Sequence, residues 1–268
     1  MNYEKIMTEI KSVREFKKQP VDSNLLSLII KDAEKMDNVD ESVLKFSVIE
    51  DGEKFFELYD GQIGYFGKLI KAPRYILIFG KPEEKTKFKA GYITEWMRFK
   101  LQENELGSCW ITAKKDTDYK TMFNLDQGET LLACLGIGYE YGGVFKKNID
   151  KKAERKGLVD FVHDGTFGTH MTWEKLTQMA MAEVFYLSKF APSWGNKQPW
   201  SFIVTDKEAY LVMEKSEESD MDLEAGIISV YFVKAAESKG FTVKMQECED
   251  KNEIKLPENQ EIKLKFFF

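Results

Sequence analysis

Residues 89–106 read KAGYITEWMRFKLQENEL, and a related stretch, EAGIISVYFVKAAESKGF, occupies residues 224–241 without a gap. The second copy starts at 224 instead of 89, an offset of 135 residues. Both copies carry apolar residues at helical spacing, which predicts two equivalent core helices. The matched apolar positions are Ile93 with Ile228, Trp96 with Tyr231 and Met97 with Phe232.

A second pair of stretches supports an internal repeat. LKFSVIEDGEKFF (44–56) pairs with PWSFIVTDKEAYL (199–211) at an offset of 155, and each reads as a strand followed by an acidic turn. The first half then holds 20 extra residues, and we assign to that extra piece the strand APRYILIFG (72–80). Each half also opens with an apolar helix, at 23–36 and 172–190, capped by Asp22 or Ser23 and by Thr172.

Alternating helices and strands predict an α/β or α+β layered fold, and the repeat predicts two lobes related by a pseudo-twofold axis. Chance resemblance of two amphipathic helices is the alternative, and the second collinear match argues against it. The expected lobes are residues 1–165 and 166–268. An apolar content of 43% in 268 residues is enough to form the cores of both.

Charge and hydropathy exclude several classes of function. The 39 basic and 45 acidic residues are mixed along the chain, with a net charge of −6, so no basic stripe is available for nucleic acid. The opening MNYEKIMTEI is charged, and no run approaches the roughly 18 to 20 apolar residues of a membrane span. We therefore expect a cytoplasmic protein with no membrane partner.

The residues most used in metal sites and acid–base catalysis are scarce. Cys109, Cys134 and Cys248 lie far apart without a CxxC spacing, and His163 and His170 have no cysteine close by in sequence. This pattern predicts no metal site and no catalytic triad. Any chemistry is expected to belong to a bound organic cofactor.

Five further stretches form distinct motifs, namely KSVREF (11–16), ELGSCWI (105–111), LLACLGIGYE (131–140), ERKGLVDFV (154–162) and APSWGNKQPWSFIV (191–204). They resemble the FMN-dependent nitroreductase family, specifically an internally duplicated branch in which one chain mimics the usual homodimer. The most specific is the last, which is similar to the family pattern APSxxNxQPWxFxV almost position for position.

The resemblance implies that FMN is the cofactor, with its phosphate held by the first half and its ring covered by the second. It also implies a backbone stretch along the reactive edge of the flavin. The phosphate side is Lys11, Ser12, Arg14, Lys152, Arg155 and Lys156, the edge is Ile111, Thr112 and Ala113, and the ring side is Pro192, Ser193 and Asn196. Gln198 and Trp200 are expected to anchor the ring-side turn without touching the cofactor.

The two halves have lost complementary parts of this pattern. At the offset of 155, residues 191–193 fall opposite Met36, Asp37 and Asn38, so the first half lacks the ring-side motif. Ser12 and Arg14 fall opposite Phe167 and Thr169, so the second half lacks the phosphate-side motif. We therefore expect one FMN per chain and a monomer that is itself a pseudo-dimer.

The resemblance implies an oxidoreductase in which NADH or NADPH reduces FMN and a small electron-poor acceptor, a nitroaromatic or a quinone, reoxidises it. No catalytic side chain is then required of the protein. The alternatives are a non-catalytic flavin- or ligand-binding protein and a structural protein with no cofactor. The glycine-rich, aromatic segment YDGQIGYFG (59–67) either lines a pocket or turns a corner.

Overall fold

The structure is a computed structural model that describes residues 1–37, 43–113, 117–143, 153–248 and 253–268. The chain divides into two compact units. The first unit is Glu9–Lys152, and the second unit is Met1–Thr8 together with Ala153–Phe268. The division differs from the expected one, because residues 1–8 and 153–165 were expected in the first lobe and lie in the second unit. Within the described ranges, no helix has the length and apolar character needed to cross a membrane.

The first unit is a four-stranded sheet with helices, and its strand order is β1-β2-β4-β3 with every pair antiparallel. Tyr75, Leu77 and Phe79 occupy alternate positions along one strand, and all three side chains lie in one buried hydrophobic cluster of this unit. The elements are α2 (Ser23–Asp37), β1 (Lys45–Ile49), α3 (Gly52–Tyr59), β2 (Arg74–Gly80), α4 (Glu84–Glu103), β3 (Gly107–Ile111), α5 (Tyr119–Phe123) and β4 (Thr130–Gly138).

The second unit is a five-stranded sheet of order β5-β6-β7-β9-β8 with helices. Only the pair of β5 with β6 is parallel within the described part of this sheet. The elements are α1 (Tyr3–Glu9), α6 (Leu158–Phe161), β5 (Val162–Asp164), α7 (Trp173–Gln178), α8 (Ala182–Ser188), β6 (Trp200–Val204), β7 (Glu208–Glu214), α9 (Met221–Ser238), β8 (Lys244–Glu247) and β9 (Gln260–Phe267).

Mixed helices and sheets confirm the predicted α+β class, and the two sheets share one connectivity. The order β1-β2-β4-β3 has its counterpart in β6-β7-β9-β8, with α4 and α9 each following the second strand of its set. The assignment of the extra piece was wrong, because β2 (Arg74–Gly80) has a counterpart in β7. What the second unit lacks is α3 and the loop after it, since residues 205–207 alone connect β6 to β7.

The helix expected over 172–190 is broken into α7 and α8. Thr172 caps α7 as predicted, since its Oγ1 accepts the Lys175 N–H at 3.1 Å. Ala180 then adopts a left-handed conformation with φ of +57°, and the Met181 N–H returns to the Leu176 carbonyl at 2.8 Å. A left-handed residue cannot continue an α-helix, so the apolar pattern is carried by two short helices instead of one.

The core of the second unit is aromatic. Phe232 of α9 stacks on Phe202 of β6 with ring centroids 5.2 Å apart, and it meets Phe266 of β9 at 4.6 Å. Phe185 of α8 joins the same cluster at 5.5 Å from Phe232. These contacts pack β6 against α8 and α9, and β6 begins directly after the segment expected on the ring side.

His163 is a buried histidine on β5. Neither ring nitrogen has a hydrogen-bond partner among the described residues, and the ring lies 4.6 Å from Phe167. Burial, and after it the nearby His170 and Lys156, lowers the pKa of His163. The unfolded chain takes up a proton at about pH 6.5, whereas the folded protein resists it. Stability is therefore expected to fall as the pH drops through that value.

His163→Phe is expected to remove this acid sensitivity because a ring of similar size stays neutral at every pH. The thermal unfolding midpoint should then fall less between pH 8 and pH 5 in the variant than in the wild type. His170→Gln, at an exposed position, removes only a contribution smaller than burial to this lowered pKa, so the midpoint of this variant should fall nearly as much as that of the wild type. An equal fall in wild type and H163F would contradict the assignment of this loss to His163.

Candidate functional site

Residues 11–17, the phosphate-side segment, run along the edge of the first unit's sheet. The Val13 N–H donates to the Ser108 carbonyl at 3.0 Å, and the Lys17 N–H donates to the Tyr139 carbonyl at 2.8 Å. A side chain at Gly107 would meet Val13 at 2.7 Å, so the glycine of ELGSCWI permits this close approach. The segment that carries Ser12 and Arg14 is thus fixed on β3 and β4 by its own backbone.

Arg98 of α4 is a second anchor of this segment, and sequence reasoning missed it. The residue is 1% exposed, and its Nη1 donates to both carboxylate oxygens of Glu95, at 2.9 and 3.0 Å. Its other nitrogens donate to the Ser108 hydroxyl at 3.1 Å and to the Lys11 carbonyl at 3.2 Å. One side chain therefore joins α4, β3 and the phosphate-side segment.

Glu95 also receives a hydrogen bond from the Trp110 indole N–H at 2.6 Å, so both of its oxygens are used. A buried ion pair is stable only when the hydrogen bonds of both partners are satisfied. The signal was present in the sequence, because Glu95 and Arg98 lie three residues apart within the apolar stripe of a predicted core helix.

The side chains of the phosphate-side segment differ in how they are engaged. Lys11 forms an ion pair with Glu140 at 2.9 Å, whereas Arg14 is exposed. Burial raises the pKa of the Cys109 thiol, while Arg14, Arg98 and the Ser12 hydroxyl act in the opposite direction. An exposed guanidinium and a hydroxyl on a rigid backbone are suited to a phosphate group.

The expected edge residues Ile111, Thr112 and Ala113 follow directly from β3. Ile111 is buried, and Ala113 packs against the hydrophobic cluster that contains Ile111 and Tyr75. The Thr112 carbonyl accepts the Gly64 N–H at 3.0 Å, which ties the glycine-rich segment 59–67 to this stretch. That segment turns a corner, and its tip residue Phe66 is 86% exposed.

The expected ring-side residues lie in the second unit, in a turn formed by residues 191–199 that we call the ring-side turn. The Ser193 hydroxyl accepts the Gln198 N–H at 2.8 Å, and Pro192 and Ser193 are half-buried. Trp200, at the start of β6, is fully buried. Gln198 thus supports the turn through this hydrogen bond and Trp200 is buried at its end, while the expectation that neither residue touches a cofactor stays a prediction.

Arg155 and Lys156 also hold the ring-side turn. Arg155 Nη1 donates to Asn196 Oδ1 at 2.5 Å, and Lys156 Nζ donates to the Gln198 carbonyl at 2.7 Å. Burial lowers the pKa of Lys156. These two cations and Asn196 are in the second unit, whereas Lys11, Ser12 and Arg14 are in the first. Lys152 lies outside the described residues.

Glu224, in the first turn of α9, contacts the other end of the ring-side turn. Its Oε1 accepts the Trp194 N–H at 2.6 Å, and the residue is 3% exposed. Burial raises the pKa of Glu224 to about 7. The sequence pattern indicated only a helix start here, where acidic residues are common.

The comparisons with known proteins agree with one another. A family model described as "Putative TM nitroreductase" matches residues 2–236. A crystal structure described as a putative nitroreductase from Thermotoga maritima is 15% identical, with a TM-score of 0.63. The match covers 100% of this chain and 94% of that one.

Other structures match part of the chain. A nitroreductase with bound FMN from Bacteroides fragilis is 17% identical, with a TM-score of 0.46, and covers 59% of this chain and 99% of that chain. An FMN-dependent nitroreductase from Clostridium difficile is 20% identical, with a TM-score of 0.43, and covers 57% of this chain and 97% of that chain. No curated protein sequence matches the chain.

Proposed function

The chain belongs to the Putative TM nitroreductase family, and we propose that it is an FMN-dependent oxidoreductase. In this proposal it passes electrons from NADH or NADPH to a small electron-poor acceptor, either a nitroaromatic or a quinone. The observation that carries the proposal is the ring-side turn, whose sequence resembles the family's motif and whose conformation is held by partly buried polar contacts. Bound FMN would supply the redox chemistry, and the protein would bind and orient it.

The residues of the phosphate-side segment suit the cofactor's phosphate. Arg14 offers a fork of N–H donors, and the Ser12 hydroxyl lies on the same rigid stretch. Lys11 would have to leave its ion pair with Glu140 to contribute fully. We also propose that Lys152, Arg155 and Lys156 support FMN binding, the last two by holding the ring-side turn.

We propose that the ring side of the site consists of Pro192, Ser193 and Asn196, with the backbone of Ile111, Thr112 and Ala113 along the reactive edge. Proline and serine form a rigid turn with small side chains, so a flat ring can approach its backbone closely. The shared strand order of the two sheets supports an origin by duplication. Complementary loss of motifs supports one FMN per chain, in a chain that acts as a monomer.

An absorption spectrum with and without NADPH tests this function. Purified protein reconstituted with FMN and washed should be yellow, with about one flavin per chain. Its visible absorption should bleach when NADPH is added without oxygen and return when air is admitted. A yellow protein whose flavin ignores both NADH and NADPH would instead be the non-catalytic binder, and a colourless protein that ignores added FMN would contradict flavin function altogether.

A further inference from the structure

We propose that Glu224 is a positioning residue that holds the ring-side turn in place through the Trp194 N–H, with a strength that depends on whether its carboxyl group is ionised. The positioning of the turn follows from contacts within the second unit. Its value for flavin binding rests on the proposed function.

Glu224 contacts the first half of the turn through the Trp194 N–H. Its Oε1 lies 2.6 Å from the Trp194 nitrogen, while Oε2 is buried and has no hydrogen-bond partner among the described residues. Asn196 and Gln198, in the second half of the turn, are held instead by Arg155 and Lys156. Loss of the Glu224 contact would therefore weaken the hold on Trp194, next to Ser193, while the hydrogen bond from the Gln198 N–H to the Ser193 hydroxyl would remain.

The ring-side turn needs such contacts because some of its residues adopt backbone conformations that are unfavourable for residues other than glycine. Gly195, Asn196 and Gln198 all have positive φ, at +56°, +57° and +51°. Left-handed conformations of residues other than glycine persist only where surrounding structure fixes them. The hydrogen bond that the Trp194 N–H donates to buried Glu224 is one of these restraints, directly before the first left-handed residue.

The protonation state of Glu224 changes in the neutral range. Burial raises its pKa to about 7, and Asp220, which caps α9, acts in the same direction. The Trp194 N–H, Ser219 and Lys197, itself ion-paired with Glu218, act to lower it. An ionised acceptor makes a stronger hydrogen bond than a neutral one. The turn should therefore be held more firmly as the pH rises through about 7.

Amide hydrogen exchange of Trp194 in FMN-free protein tests the contact directly. In the wild type, the protection factor should rise on the order of five-fold from pH 6 to pH 8. Glu224→Gln keeps an acceptor that cannot ionise, so its protection should be independent of pH. Glu224→Leu should lower protection at least ten-fold at pH 8, because the N–H loses its acceptor.

Two controls separate this effect from general destabilisation. Glu237→Gln, at the other end of α9, should behave as wild type, and amides of β7 should be unchanged in Glu224→Gln. The proposal is overturned if Glu224→Gln retains the pH dependence of the wild type, or if a folded Glu224→Leu retains full protection. Should Glu224→Leu not fold, the Glu224→Gln profile decides alone.

Flavin affinity is a second and separable readout. In Glu224→Gln, the FMN dissociation constant should change less between pH 6 and pH 8 than in the wild type, and the remaining change should come from the FMN phosphate, whose second pKa is about 6. If wild-type protein does not bind FMN, the proposed function fails while the exchange result still decides the role of Glu224. If FMN binds but its affinity shows the same pH dependence in both proteins, Glu224 does not position the turn for flavin.

Discussion

Arg98→Met is expected to lower the free energy of unfolding by about 3–5 kcal/mol, because it leaves the Glu95 carboxylate buried without its partner. The variant also removes the hydrogen bonds to Ser108 and to the Lys11 carbonyl. Chemical denaturation followed by circular dichroism measures the loss. The phosphate-side segment should loosen in the same variant, since one of its anchors is gone.

The double variant Glu95→Gln with Arg98→Met is the matched control. It removes both charges and keeps an acceptor for the Trp110 indole, so it should recover most of the loss. Lys100→Met, on the same helix and in a partly exposed ion pair with Glu103, should cost under about 1 kcal/mol. An equal loss in the single and double variants would mean that the hydrogen bonds and packing of Arg98, and not the unpaired charge of Glu95, set the cost.

The sequence predicted the parts of the fold that repeat a simple pattern. The apolar stripe predicted α4 and α9 closely, because a buried helix shows its period in any context. It failed over 172–190, where the apolar period continues across a left-handed residue at Ala180. Ala180 has no special preference for that conformation, so tertiary packing determines the break.

The wrong assignment of strand 72–80 to the extra piece of the first half has a similar cause. The segments 51–56 and 206–211 both follow a strand and an acidic turn, yet the first enters helix α3 and the second enters strand β7. Sequence similarity in a short apolar stretch does not distinguish helix from strand. The strand order of each sheet supplies the missing information, because it identifies β2 with β7.

The anchoring residues of the site were the hardest to predict. The resemblance alone assigns Arg155 and Lys156 to a phosphate, but their hydrogen-bond partners depend on where the chain folds back. Glu224 looked like an ordinary acidic residue at a helix start, and only its burial beside Trp194 distinguishes it. The sequence pattern identifies the motif, but only contacts between segments distant in sequence show which partner each charged side chain binds.

Arg14→Glu is expected to weaken FMN binding on the order of 100-fold, provided that the proposed function holds. Arg14 is exposed on a segment whose backbone is fixed to β3, so the substitution should leave the fold intact. The loss combines charge-assisted hydrogen bonds, at about 1.5–3 kcal/mol, with repulsion between a carboxylate and the phosphate. Flavin fluorescence titration measures the dissociation constant.

The phosphate, and not overall charge, should account for this loss. Lys17→Glu changes the net charge equally at an exposed position on the same segment, so a matched weakening in both variants would indicate long-range electrostatics alone. Riboflavin, which lacks the phosphate, should bind wild type and Arg14→Glu with similar affinity. If Arg14→Glu weakens riboflavin as much as FMN, Arg14 acts on the ring or on the fold and its assignment to the phosphate is wrong.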